Sequence, residues 1–247
     1  MQVLGITHFF NLLFGPIFAW LMGLVGAQPI KPNAPINDAF ALEMLVVLGL
    51  ILFFVLVRLS LSVEKPGAAQ QIAEMVHEFV GGMGDQVIGH GYERFQSFAT
   101  CVFLVVLINN MIGLVSGLIP GVVTPTGQPV VPLGIALMTF IYYNFHGFRV
   151  QGPVKYIKHF AGPMPALSPL MFPIEIVSHL ARIMSLTIRL YANMLASDLL
   201  YLVWFSLIPI AIPAVFLGLH FFVSIIQAFV FMLLTMIYLS LAVAHDH

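Results

Sequence analysis

Charged and polar side chains are concentrated in residues 175–198, a stretch whose flanking segments are almost entirely apolar. Two arginines, Arg182 and Arg189, lie within it. A charged side chain at the centre of a bilayer costs roughly 2.5–3.5 kcal/mol on insertion scales, so such residues usually line an ion path or pair tightly. The stretch is therefore the first candidate for function, and the chemistry it suggests is ion movement.

The polar residues of this stretch recur at a spacing that places them on one side of a helix. At about 100° per residue they fall within roughly a third of the circumference. They are Glu175, His179, Arg182, Ser185, Arg189 and Asn193.

The charges on this face are not balanced within the stretch. Glu175 could neutralise Arg182 through a helix neighbour or water, but Arg189 has no acidic residue three or four positions away. Asp198 follows Arg189 by nine residues and points to about the opposite side of the helix, so it should not be the partner of Arg189. We expect the counter-charge of Arg189 to come from another chain.

Two longer segments carry a resemblance to a known family. They read SLTIRLYANMLASDLL and LHFFVSIIQAFVFMLLTMIYLS, and they resemble subunit a of the rotary F-type ATP synthase, the stator channel beside the rotating c-ring. Weaker similarity extends upstream, as far as residue 40, through VEKPGAAQQ, INNMIGLVSGLIPG and TPTGQPV. One departure is Asp198, where glutamate is common in that family.

The resemblance implies a role for each matching residue. Arg189 would face the carboxylates of the c-ring, and Asn193 would pack against a neighbouring helix. Asp198 and His220 would line the access channel, with Gln227 as the polar neighbour of the arginine. The implied partners are the c-ring subunits, the b subunits of the peripheral stalk and the rest of the ATP synthase.

The function implied is proton translocation through two offset half-channels, which couples the proton-motive force to rotation and ATP synthesis. No catalytic site, metal or cofactor is expected in the chain itself. The exit half-channel would use Glu175, His179, Arg182 and Ser185. For Glu175 with Arg182, an ion pair that fixes the helix hairpin is an equally good interpretation, and Asp198 with His220 could instead serve packing or a simple hydrogen bond.

Composition independently indicates a membrane protein. Of 247 residues, 60% are hydrophobic and 8% are charged, whereas soluble domains carry about 25% charged residues. The net charge of -1 argues against a nucleic-acid partner. The single cysteine, Cys101, excludes an internal disulfide and a thiolate metal site. The expected class is an all-α polytopic membrane protein.

Apolar segments divide the chain into about five transmembrane helices and one surface helix within a single membrane domain. The expected elements are an external or interfacial segment 1–40, spans 41–62, 94–118 and 133–149, an amphipathic surface helix 66–90, and long helices 166–212 and 214–245. The last two exceed the roughly 20 residues that a bilayer requires, so we expect a tilted antiparallel hairpin.

Segment 1–40 and helix 66–90 each have an unusual pattern. Residues 7–27 are long enough to span, but Gly15 and Pro16 interrupt the helical pattern, which favours an interfacial or re-entrant segment. The polar face of 66–90 is acidic, so protein contact explains it better than attraction to anionic lipid. The resemblance suggests the peripheral stalk as that protein; the alternative is a simple interfacial connector. Pro209 and Pro213 should end helix 166–212.

Orientation follows from the cations near the span ends. Arg58, Lys65, Arg94, Arg149, Lys155 and Lys158 fall on one side if the spans alternate, and Lys31 alone falls on the other. We expect the cation-rich side and the C-terminus to be cytoplasmic, the N-terminal loop to be external, and the membrane to be a bacterial plasma (inner) membrane.

The alternative function is a self-contained proton-coupled secondary transporter. Such a protein would supply its own counter-charge and usually shows paired repeats with broken helices, and the sequence contains no such repeat. An intramembrane enzyme would need a nucleophile with a base, or a metal set, and the sequence offers neither. Selectivity between proton and sodium would lie largely around the ring carboxylate, in another chain.

Overall fold

The computed structural model describes residues 5–24, 35–118, 124–152, 168–207 and 211–243. All regular elements in these ranges are helical. They are α1 Gly5–Leu24, α2 Asp38–Leu59, α3 Ala68–Ile88, α4 Glu93–Leu118, a 3-10 turn Pro125–Gly127, α5 Val130–Gln151, α6 Ser168–Leu207 and α7 Ala211–Val243. Within the described ranges six helices, all but α3, are long and apolar enough to cross a membrane. The expected all-α polytopic membrane class is confirmed.

Helix α1 differs from the sequence-based expectation. It runs unbroken through Gly15 and Pro16, where we expected an interruption, and it adds a candidate span to the five foreseen. Proline removes one backbone donor, a loss that membrane helices tolerate. The polar edge of α1 is tied to the start of α2, because Asn11 Nδ2 donates to the carbonyl of Ile36 at 3.0 Å and Thr7 Oγ1 donates to Asp38 Oδ1 at 2.5 Å.

A side-chain cap and a proline mark where two of the helices begin. Asn37 Oδ1 accepts a hydrogen bond from the amide of Phe40 at 2.8 Å, so α2 begins three residues before the expected position. Pro213 lies in the first turn of α7 instead of ending the preceding helix, and a proline is tolerated there because the amides of a first turn need no helical acceptor. Pro209 lies outside the described residues.

Part of the predicted orientation falls outside the described ranges. Lys31, Lys155 and Lys158 are not among the described residues, nor are the C-terminal residues 244–247. Arg58 closes α2 and Arg149 lies in the last turn of α5, where a cation also interacts favourably with the helix dipole.

Helices α6 and α7 form an antiparallel hairpin. Contacts at successive levels pair Trp204 with Phe216, then Asn193 with Gln227, then Arg182 with Tyr238. With 40 and 33 residues, the helices are about 60 and 50 Å long at 1.5 Å per residue. A bilayer core is about 30 Å thick, so both helices must tilt strongly or bend to remain within it.

The core lies where α4, α6 and α7 meet. Val106 of α4, Leu190 and Met194 of α6, and Phe231 and Met232 of α7 are fully buried there. This packing fixes the register of the hairpin against α4. The polar residues of α6 and α7 therefore sit on a rigid apolar framework.

The surface helix α3 is anchored to α4. Val80 is fully buried, and the side-chain amide of Gln96 donates to the carbonyl of His77 at 2.8 Å. Its other face leaves Ile72, Met75 and Phe79 exposed. The helix thus carries an apolar face that the described chain does not cover.

Candidate functional site

Arg189 lies on the predicted polar face of α6, near the middle of the helix, and is exposed. Its Nη2 atom donates to Ser185 Oγ at 3.4 Å, one turn earlier on the same helix. No carboxylate of the described residues lies within ion-pairing distance of this guanidinium. The described part of the chain therefore leaves the charge of Arg189 without an acidic partner.

Helix α6 also leaves an apolar face uncovered, about 100–180° around the helix axis from Arg189. Val177, Leu180, Met184 and Ile188 are 54–64% exposed. Only 11% of the membrane-length segment of α6 is buried within the chain, against 44% for α7. Helix α6, which carries Arg189, is thus the candidate span least buried by its own chain, and most of its surface is left for lipid or a partner.

One turn beyond Arg189, the hairpin is joined by a polar contact. Asn193 Nδ2 donates to Gln227 Oε1 at 3.0 Å, and Gln227 is buried. In the described residues no hydrogen bond links Gln227 directly to Arg189. Gln227 therefore reaches the level of the arginine through Asn193, and this contact fixes how α7 sits beside it.

A first polar cluster surrounds Asp198, near the end of α6. We call it the Asp198 cluster; it comprises Asp198, His220, Thr124, Gly113 and Asn110. Thr124 Oγ1 donates to Asp198 Oδ2 at 2.8 Å, and His220 Nε2 lies 3.4 Å from the carbonyl oxygen of Asn110. A side chain on Gly113 would begin 2.9 Å from His220 Nε2 and 3.0 Å from Thr124 Cγ2. The structure therefore brings Asp198 and His220 to the two sides of one threonine.

Polar groups continue from this cluster along α7. His220, Ser224 and Gln227 are spaced by four and three residues, so they share a face. All three are buried, and the carbonyl of Ser224 accepts a hydrogen bond from Asn110 Nδ2 at 3.4 Å. The buried Ser224 Oγ and Asn110 Oδ1 atoms have no partner among the described residues, and such atoms are typical of polar routes that take up water.

A second polar cluster lies in the first half of α6. We call it the Glu175 cluster; it comprises Glu175, His179, Arg182, Tyr143 and Tyr238. Glu175 Oε1 lies 3.4 Å from His179 Nε2 and 4.0 Å from Arg182 Nη2. His179 Nδ1 lies 2.8 Å from the Tyr143 hydroxyl, and Arg182 sits 5.2 Å from the centroid of the Tyr238 ring. The carboxyl of Glu175 is about a third exposed, so it is both paired and accessible.

The two clusters lie on opposite sides of Arg189 along one helix. Fourteen residues separate Glu175 from Arg189 and nine separate Arg189 from Asp198, which correspond to about 21 Å and about 14 Å along the axis. Ser185, predicted with the Glu175 group, lies instead beside Arg189. Each cluster contains side chains that can exchange protons, and Arg189 lies between the two clusters along α6.

Sequence reasoning did not assign Thr124 or Tyr143 to this site. Thr124 lies in the connection between α4 and α5, where no periodic pattern indicates which way a side chain points. Tyr143 lies on α5 and is buried, and a buried tyrosine usually has a hydrogen-bond partner. Over the described ranges, no three His, Cys, Asp or Glu side chains converge as metal ligands.

Comparison with known proteins identifies the family of this chain. The family model described as ATP synthase A chain matches residues 40–240. The ATP synthase subunit a of Koribacter versatilis is 50% identical over 245 residues, which cover 99% of this chain and 98% of that protein. The subunit a of Solibacter usitatus is 44% identical (92% and 95% covered), and that of Helicobacter pylori strain P12 is 39% identical (85% and 92%). The chain therefore belongs to the ATP synthase A chain family.

Proposed function

We propose that this chain conducts protons through two offset half-channels and couples their flow to rotation of the c-ring, with Arg189 facing the ring carboxylates. The observation that carries the proposal is the exposed Arg189, which has no acidic partner among the described residues. It is supported by the small buried fraction of α6, 11% of its membrane-length segment, and by the relatives named ATP synthase subunit a. A neighbouring carboxylate within lipid would supply the missing counter-charge.

In this proposal protons enter from outside through the Asp198 cluster. Asp198 and His220 both exchange protons in a partly wet niche, and Thr124 and Asn110 hold them in place. Ser224 and Gln227 continue the polar face toward Asn193, one turn from the arginine. A proton that reaches the end of this route neutralises a ring carboxylate, which can then face lipid.

Arg189 keeps the two half-channels separate. Arginine stays protonated in proteins, so it favours the ionised form of a carboxylate that arrives beside it. At a separation of 4 Å and an effective dielectric constant of 20, two unit charges interact by about 4 kcal/mol. A membrane potential of 100 mV supplies only about 2.3 kcal/mol per charge. The repulsion between Arg189 and a proton is therefore large enough to block a direct leak.

Release toward the cytoplasm would use the Glu175 cluster. Glu175 is partly exposed and His179 joins it to the buried Tyr143 hydroxyl, so a proton has successive acceptors there. The weak 4.0 Å approach of Arg182 also suits an ion pair that fixes the hairpin. Removal of Arg182 distinguishes the two roles, because it would restore conduction to a Glu175 variant only if the pair is purely structural.

The proposed setting is a bacterial plasma membrane, with the N-terminal loop external and the C-terminus cytoplasmic. The acidic polar face of α3, with the exposed Glu74 and Glu78, would meet the peripheral stalk b subunits. The remaining partners are the c-ring and the rest of the ATP synthase.

The test is Arg189→Ala in the assembled enzyme, in inverted membrane vesicles. We expect ATP-driven proton pumping to be abolished, because the ring carboxylate loses the cation that faces it in this proposal. Arg149→Ala, at the end of α5, is the matched control and should pump normally. Normal pumping by Arg189→Ala, or substrate uptake by this chain alone in proteoliposomes, would reject the proposal.

A further inference from the structure

We propose that Thr124 is a positioning residue for Asp198, whose hydroxyl holds the carboxylate in the orientation needed to exchange a proton with the His220 side of the cluster. The inference rests on the proposed entry route and adds to it a residue from outside the hairpin. Thr124 lies in the connection between α4 and α5, so the aspartate of α6 is held by a third element of the fold.

The contact is short and protected. Thr124 is 2% exposed, and its Oγ1 donates to Asp198 Oδ2 at 2.8 Å. A hydrogen bond from a hydroxyl to a carboxylate is of the stronger, charge-assisted kind. The bond engages Oδ2, and within the described residues Oδ1 has no hydrogen bond. Oδ1 is then the oxygen that takes up and gives back the proton.

The backbone around Thr124 is held by a tight turn. The carbonyl of Thr124 accepts a hydrogen bond from the amide of Gly127 at 3.1 Å, and Pro125 is buried within the turn. Threonine is branched at Cβ, so its side chain has few rotamers. The turn therefore fixes the backbone of Thr124, and the branched side chain leaves its hydroxyl few directions.

Close packing on both sides limits other positions for the carboxylate and the imidazole. A Cβ atom on Gly127 would lie 3.3 Å from Asp198 Oδ2, closer than ordinary contact. On the other side, a Cβ atom on Gly113 would lie 2.9 Å from His220 Nε2 and 3.0 Å from the methyl group of Thr124. One threonine thus touches the aspartate with its hydroxyl and shares a glycine with the histidine through its methyl group.

A purely structural role would make Thr124 an anchor for the connection, with no effect on proton transfer beyond folding. The two roles differ in which atom matters. Positioning of Asp198 needs the hydroxyl, whereas anchoring needs the volume of the side chain. Valine keeps that volume without the hydroxyl, and serine keeps the hydroxyl without the methyl group.

The experiment compares three variants in the assembled enzyme, in membrane vesicles, by passive proton conduction and by the amount of assembled complex. Thr124→Val should reduce conduction about tenfold, because a hydrogen bond to a charged group contributes about 1.5–3 kcal/mol. It should also displace the pH of half-maximal conduction by about one unit. Thr124→Ser should conduct within about twofold of the unchanged enzyme, since it retains the donor.

Thr126→Val is the matched control. Thr126 is a fully buried threonine in the same turn, and its Oγ1 has no hydrogen-bond partner among the described residues. It should leave both the rate and the pH profile unchanged. Unchanged conduction and pH profile in Thr124→Val, an equal loss in Thr126→Val, or no rescue by serine would each overturn the inference. Arg189→Ala tests the proposed function separately. If Thr124→Val conducts normally while Arg189→Ala no longer pumps, only the role of Thr124 is rejected.

Discussion

Replacement of Gly113 by alanine tests the geometry of the Asp198 cluster directly. The new methyl carbon would lie 2.9 Å from His220 Nε2, 3.2 Å from His220 Cε1 and 3.0 Å from Thr124 Cγ2. Ordinary contacts are about 3.5–4.0 Å, so the neighbours must move by roughly 0.5–1 Å. The imidazole is rigid and buried between α4 and α7, and Thr124 is held by its turn. Neither can yield without changing the cluster.

The expected cost follows from this displacement. Overpacking of this kind costs about 1–3 kcal/mol in stability, which an assembled complex should tolerate. The function is more sensitive: His220 Nε2 is already 3.4 Å from the carbonyl of Asn110, and a displacement of about 1 Å in a reacting group can cost about a hundredfold in rate. We expect Gly113→Ala to assemble and to conduct protons at least about tenfold more slowly.

The assay is passive proton conduction in vesicles, normalised to the amount of assembled enzyme. Gly218→Ala is the matched control, because it lies on α7 two residues before His220 and an added methyl group there meets nothing within 4 Å. Both variants gain the same helix propensity from alanine. Equal conduction by Gly113→Ala and Gly218→Ala would refute the conclusion that Gly113 sets the position of His220.

Two further predictions concern the Glu175 cluster. Tyr143→Phe removes the hydroxyl 2.8 Å from His179 Nδ1 and should slow conduction about two- to tenfold, the range for one hydrogen bond. Tyr142→Phe keeps its ring stack and should leave conduction unchanged. Equal rates in the two variants would exclude Tyr143 from the path. Glu175→Gln should lower conduction at least about tenfold if Glu175 transfers protons, and adding Arg182→Ala should not restore it. Recovery in that double variant would make the pair purely structural.

The sequence predicted the faces of helices better than the contacts between them. The polar face of α6 was predictable because helical periodicity is local, and Asn193 and Arg189 lie where the period puts them. The absence of a nearby acid for Arg189 was equally a matter of spacing. The positions of these residues could be predicted because they depend on the spacing within one helix.

Contacts that depend on the path of a connection were not predictable. Thr124 reaches Asp198 because the turn at Pro125–Gly127 packs against α6, and no repeat in the sequence encodes that contact. Pro213 was expected to end a helix, yet it lies in the first turn of the next one. A proline is compatible with both positions, so composition alone leaves the choice to tertiary packing.

The continuity of α6 has a consequence for how this protein can vary. Glu175, Arg189 and Asp198 all lie on one unbroken helix, so inserting or deleting a single residue between them would rotate everything beyond by about 100° and shift it by about 1.5 Å. Either change would turn one of the three groups away from its neighbours. A substitution along this helix alters one side chain, whereas a change in its length alters the direction of every side chain beyond it.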